Sequence, residues 1–178
     1  SATGPRLKAY RRIGRALGDD LRSGPRIHAV HTFDLSTLLY PTAFAFNHAV
    51  PLPVPYVQLN HRALLLQIQT DEGLKNMLFN PTDYVASEAT PFFAQMLAMM
   101  PNPDLGRKLL AKQSGQLDVQ LAALGMRAED IDVIAFDHFH TQDLRPLLGS
   151  SVPEPDGSMW KARFPNALLL APEAEWND

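Results

Sequence analysis

Cysteine is absent from this 178-residue sequence, so no disulfide can staple it and no thiolate can bind a metal; a transition-metal site here must use His, Asp, Glu or water. Long apolar runs are absent too. The run from Ala63 to Ile68 is of strand length, far short of the roughly 20 residues that cross a bilayer, which removes a membrane-spanning reading. No strong excess of one charge sign is present, and a formal net charge of -3 is too small to argue for nucleic acid. No apolar h-region comes after the opening Ser-Ala-Thr-Gly-Pro, so the segment as it stands does not read as a signal peptide; cytoplasm is the default compartment, and Ser1 in place of Met fits either trimming or residues added at the start. What is there, 46% hydrophobic and 20% charged residues, is the composition of one globular domain with a real core.

The charge is unevenly spread. Residues 1–26 hold Arg6, Lys8, Arg11, Arg12, Arg15, Arg22 and Arg26 against only Asp19 and Asp20. Leu7, Tyr10, Ile13, Leu17 and Leu21 recur at helical spacing between them, which predicts a basic amphipathic helix ended by Ser23-Gly24-Pro25. Its polar face is expected to be solvated or to serve as an arm on a partner subunit rather than to contact nucleic acid or lipid. Residues 27–178 show no internal repeat or convincing domain boundary and read as part of a single domain. Ile27 to Phe33 predicts a strand, and Tyr40-Pro41-Thr42 with prolines 51, 53 and 55 an extended irregular connection.

Arg62 to Thr70 and Leu74 to Phe79 are apolar runs joined by Asp71-Glu72-Gly73, a hairpin signature. Thr90 and Pro91 open a helix to about Met99, and a second is expected from about Asp104 through Leu124, with Gly125 as its terminator and Gly115 as a break point. Val133 to Phe136 predicts a buried strand, and Asn166 to Ala171 another, with Glu173 to Trp176 closing the chain.

The Val133 strand ends on Asp137-His138-Phe139-His140, at the carboxyl end where α/β proteins build sites. On an extended segment His138 and His140 point the same way, so both imidazoles can reach one metal. The pair alone fits a core or surface role as well as a metal role; its placement, with Asp137 before it and Gln142 and Asp143 after it, favours metal. His28, His31, His48 and His61 are expected to be structural or exposed; Glu173 and Glu175 follow a strand and could approach a site, but a solvated turn is the expectation; Trp160 and Phe164 are expected to pack rather than to form a pocket wall. Met96, Met99 and Met100 read as core filling or tunnel lining.

The stretch from Leu121 to His140, Leu-Ala-Ala-Leu-Gly-Met-Arg-Ala-Glu-Asp-Ile-Asp-Val-Ile-Ala-Phe-Asp-His-Phe-His, resembles the segment of metallo-β-lactamase-fold hydrolases that leads into their His-x-His-x-Asp-His motif. The hairpin from Ala63 to Phe79 is similar to that family's early strands, and Phe164-Pro165-Asn166-Ala167 with Glu173-Ala174-Glu175-Trp176 resembles the region after the motif in lactonase-like members. The resemblance implies an α/β fold, the first half of an αββα sandwich. It implies His138 and His140 as ligands of a divalent metal, zinc first, iron or manganese as alternatives. Gln142 stands where the motif has Asp and Asp143 where it has His, so Asp143 is the candidate third ligand and the donors of the motif's second metal site are altered. Asp137 is expected to orient a ligand imidazole.

As the resemblance implies, metal-bound hydroxide would attack a carbonyl or phosphoryl centre of a small molecule, a lactone or ester first, with the metal lowering the water's pKa and polarising the target. The family's later ligands have no counterpart here, and zinc catalysis needs at least three protein ligands. The expectation is therefore a second polypeptide, or a segment cut away, that carries the C-terminal half and covers an exposed sheet face. The other readings are a non-catalytic binding or scaffold subunit, and an oxygen-dependent reaction at a single iron.

Overall fold

The computed structural model describes residues 3–47, 49, 53–98, 102, 104, 111–139 and 142–177. Helix α1 (Thr3–Ser23) carries the expected apolar stripe, has Arg22 in its negative last turn, and closes with the Gly24 amide donating to the Asp20 carbonyl at 2.9 Å. Pro25 then stops it. Strand β1 (Arg26–Pro41) runs well past the expected Phe33 and pairs antiparallel with β2 (Tyr56–Thr70), from Arg26 opposite Gln69 to Pro41 opposite Tyr56, with bulges between Ile27 and Ala29 and between Asp34 and Ser36. Pro41 is tolerated because it is the last residue of the strand. A short turn of helix, α2 (Thr42–Ala45), comes next.

The expected hairpin is present: β2 turns through Asp71 and Glu72 into β3 (Gly73–Phe79), with Gly73 at φ +112° supplying the backbone that a side chain would strain. Helix α3 (Tyr84–Ser87) is capped by Asp83, whose carboxylate accepts the Ala86 N–H at 3.0 Å, and α4 (Pro91–Ala98) starts on the expected Pro91. The helix expected from about Asp104 through Leu124, with Gly115 as a break point, is corrected over residues 111–116. Ala111–Gln113 is a strand, β4, paired antiparallel with Ser36–Leu38 of β1, and the helix α5 spans only Leu117–Ala123. Ala, Lys and Gln favour helix intrinsically, but the open edge of β1 offers them hydrogen bonds that outweigh propensity. Gly115 sits at the break, where an added Cβ would lie 2.6 Å from the Asp34 carbonyl oxygen.

Gly125 at φ +72° ends this stretch, and a 3₁₀ turn (Ala128–Asp130) leads into β5 (Val133–Ala135). Helix α6 (Arg145–Leu148), strand β6 (Leu168–Leu170) and helix α7 (Glu173–Asn177) complete the order. The sheet has six strands in the order β4-β1-β2-β3-β5-β6. The first four neighbours pair antiparallel, whereas β3-β5 and β5-β6 are parallel, so the crossover through α5 is the expected half of a βαβ unit.

The two faces of this sheet differ. On one, Leu65, Leu78 and Ile134 lie in a cross-strand row with no exposed surface, packed with Leu117 and Leu121 of α5, Leu147 of α6, Ile131 and Phe164. On the other, register places Val30, Leu66, Met77, Val133 and Leu168 in one row, and Leu64, Phe79, Ala135 and Leu170 in the next. These residues are as apolar as the core, yet Val30, Leu168 and Leu170 are exposed, Leu64, Leu66, Met77, Phe79 and Val133 are only half-buried, and Ala135 alone of the two rows is buried. A sheet with one face meant for water alternates apolar with polar residues; this one presents apolar residues on both. Among the described helices, none is long and apolar enough to cross a membrane.

Candidate functional site

Strand β5 is held on both sides. The Asp132 carboxylate accepts the Asn76 amide at 2.8 Å, the Asp132 carbonyl accepts the Leu168 amide at 3.0 Å, and the Phe136 amide donates to the Leu170 carbonyl at 3.1 Å. Beyond Phe136 the chain leaves the sheet, and Asn80, at the end of β3, takes over its positioning. In the left-handed region at φ +53°, which Asn tolerates, Asn80 donates its amide to the Ala135 carbonyl at 2.8 Å and accepts the Asp137 amide on its side-chain oxygen at 3.2 Å. Its carbonyl lies 3.3 Å from His61 Nε2. Burial holds His61 below its ordinary pKa, and the bond to Asn80 only partly offsets this.

Asp137 and His138 are brought together. One carboxylate oxygen of Asp137 accepts the His138 amide at 2.9 Å and stands 2.9 Å from His138 Nδ1. Burial pushes the Asp137 carboxyl up, but the charge of His138 and hydrogen bonds with Asn80 and His138 outweigh it and hold the group below the usual carboxylate range. Nδ1 is thus the ring nitrogen that faces Asp137, the kind of contact by which a carboxylate orients an imidazole. The next residue is anchored as well: the Phe139 amide donates to the Glu175 carboxylate at 2.8 Å, and the Phe139 ring lies 5.3 Å from that of Phe136. His140 lies outside the described residues, as do His48, Met99 and Met100.

Asp143 occupies a different cluster. Arg145 grips it through Nε at 2.9 Å and Nη2 at 2.6 Å, and through its own backbone amide at 3.1 Å. The same guanidinium reaches both oxygens of Glu154 at 2.8 Å and lies 5.8 Å from the centre of the Trp160 ring. The hydrogen bond from Arg145 holds Asp143 below its ordinary pKa, and the two carboxylates push Arg145 up. Gln142 is half-buried beside it. Among the described residues no group of three or more His, Cys, Asp or Glu is placed to hold a metal ion. The donor set described is thus partial.

Two of these participants, Asn80 and His61, are not singled out as site residues by the sequence. Glu175, which could approach a site but is expected on a solvated turn, secures the backbone next to His138. Phe164 packs in the core as expected, and Trp160 lies under Arg145.

Neither a family model nor a curated protein matches the sequence. Solved structures do. A probable metal-dependent hydrolase from Staphylococcus aureus matches over 85% of this chain and 50% of its own, with a TM-score of 0.50 and 14% identity. AidC, a dizinc quorum-quenching lactonase in complex with a product, matches over 86% of this chain and 46% of its own at a TM-score of 0.44 and 16% identity. The hydrolase AbOPH of the beta lactamase superfamily gives 86% and 46%, 0.42 and 14%. At such identities the likeness is one of fold: the chain has an α/β fold, built on a mixed six-stranded sheet, that matches about half of a metallo-β-lactamase-fold chain. It spans about half the length of the proteins it matches.

Proposed function

We propose that this chain is one half of a metal-dependent hydrolase of the metallo-β-lactamase fold, active on a small-molecule ester or lactone, and that its site is completed only when the other half of the fold packs against it. The observation that carries this reading is the uncovered apolar sheet face, with Leu168 at 74% and Leu170 at 57% exposure in line with Leu66, Met77 and Leu64. In an αββα sandwich that face meets a second sheet. The complementary half, on a second polypeptide or a further segment of the same one, is the expected occupant.

In this reading His138 and His140 supply two imidazoles, with zinc the first choice of metal and iron or manganese the alternatives. Asp137 is a positioning residue that orients the His138 imidazole. Asp143 is the candidate third ligand; Arg145 occupies both its oxygens, so it would bind through a remaining lone pair or after releasing the guanidinium. The described residues do not make a full donor set, so the remaining ligands fall to the other half.

A second reading, a non-catalytic subunit that keeps the fold for binding, is favoured by that same partial set and by Gln142 in place of a carboxylate. Plasma emission analysis of the protein purified with its companion separates the two. Stoichiometric zinc, iron or manganese, lost in His138→Ala while the far-ultraviolet circular dichroism is unchanged, supports the hydrolase; iron alone points to the oxygen-dependent alternative. Metal absent from the intact assembly would leave the binding subunit as the surviving reading.

A further inference from the structure

Helix α1 makes an apolar stripe that the described residues do not cover. Leu7, Tyr10, Leu17 and Leu21 are between 47% and 71% exposed. With Gly14 they keep the alternating three-and-four spacing of a coiled-coil seam, at Leu7, Tyr10, Gly14, Leu17 and Leu21. At 1.5 Å per residue the 21 residues make a rod about 31 Å long. We propose that α1 is a self-association arm, and that two copies of this chain pair their α1 helices antiparallel. This goes beyond the hydrolase reading and does not depend on it.

The side chains commit the pairing to a second copy and to one direction. In the antiparallel register centred near Arg12, Leu7 packs on the partner's Leu17, and Tyr10 lies over the partner's Gly14. An added Cβ at Gly14 would meet nothing within 4 Å on its own chain, so the space above it is open to a large ring. On the Ile13 flank, Ile13 meets its own copy, and Arg6 faces the partner's Asp20, twice by symmetry. A parallel pair would instead set Gly14 against the partner's Gly14, leaving a gap in one layer, and would lay the basic first halves of the two helices side by side. Arg6, Lys8, Arg11, Arg12 and Arg15 lie in the first two-thirds of α1, whereas its end carries Asp19, paired with Arg22 of the same helix, and Asp20, so the antiparallel arrangement is the one that sets the basic part of each helix against the partner's Asp20. Its flaw is Arg11, which meets the partner's Arg11 on the other flank.

That flaw makes the proposal testable against its main competitor, an anionic membrane surface, which every arginine on the helix would help to bind. Light scattering after size exclusion is expected to give two copies of this 19.8 kDa chain per particle, together with any companion that copurifies. Leu17→Glu should weaken the dimer by more than about 100-fold, and Asp20→Arg by roughly tenfold, with the double exchange Arg6→Asp and Asp20→Arg restoring it. Arg11→Gln should tighten it, most at low salt. Circular dichroism checks that each variant keeps its helix. A monomeric parent chain, a mass indifferent to Leu17→Glu, as association through the sheet face would give, or a double exchange no better than the single would overturn the proposal. So would sedimentation with phosphatidylserine vesicles that Arg11→Gln weakens while particles in solution hold a single copy of the chain.

Discussion

Leu168 and Leu170 on β6 allow the covered and uncovered faces of the sheet to be told apart by substitution. Replacing both with Ser removes apolar surface that water already touches, so the chain alone should lose little, within about 0.5 kcal/mol for surface changes. Taking a whole leucine side chain out of water is worth about 2 kcal/mol. At 74% and 57% exposure, covering the pair is therefore worth about 2.6 kcal/mol, and losing it should weaken association with the complementary half roughly 70-fold. Leu78, fully buried on the opposite face, is the control: Leu78→Ala should lower the chain's own stability by about 2–5 kcal/mol through cavity formation. Urea unfolding of the three proteins, binding of an apolar dye, and mass spectrometry of what copurifies give the readouts. The serine pair should keep the parental urea midpoint, bind less dye and release its companion. If it instead destabilised the lone chain as much as Leu78→Ala does, the face would already be covered and the half-fold argument would fail.

The Arg145 clamp gives a pH prediction. Because Arg145 holds Asp143 below its ordinary pKa, the ion pair stabilises the fold at pH values above the unfolded carboxyl's value of about 3.9, and this contribution is lost as pH falls through the lower folded value. Urea midpoints measured from pH 5 down to pH 2 should fall more steeply for the parent than for Asp143→Asn; parallel curves would show that the clamp adds nothing. Gly115→Ala should cost about 1–3 kcal/mol, since its Cβ would meet the Asp34 carbonyl oxygen at 2.6 Å and must push β4 from β1; a thermal midpoint equal to the parent's would contradict this. In the assembled protein, Gln142→Asp should raise the metal content per chain by restoring a carboxylate, and an unchanged ratio would show that a second metal position is closed for another cause.

Local chemistry makes some elements legible. Gly73 and the apolar runs beside it disclose the β2-β3 hairpin, and the four apolar residues from Val133 disclose β5 and thereby the location of Asp137 and His138. Where one element is imposed by another, sequence says little or misleads. Ala111-Lys112-Gln113 reads as helix and becomes strand because β1 needs an edge partner, and β1 outruns its expected end because β2 matches it to Tyr56. The site behaves alike. Its histidine is visible from the strand before it, whereas Asn80 and Glu175 reach it across 57 and 36 residues, contacts for which no short-range pattern exists.

The change from antiparallel to parallel pairing across the sheet has a kinetic consequence. The β2-β3 hairpin closes through a two-residue turn and can zip as a local event, on the microsecond scale typical of hairpins. The β3-β5 pairing must first bring Met77 to Val133 and so carries the loop-closure entropy of the whole crossover before any contact rewards it. The bond between Asn80 and Asp137 lies just beyond that seam. Folding therefore delivers the Asp137-His138 end of β5 late, onto a hairpin already formed, and a chain caught midway holds the hairpin but not the candidate site.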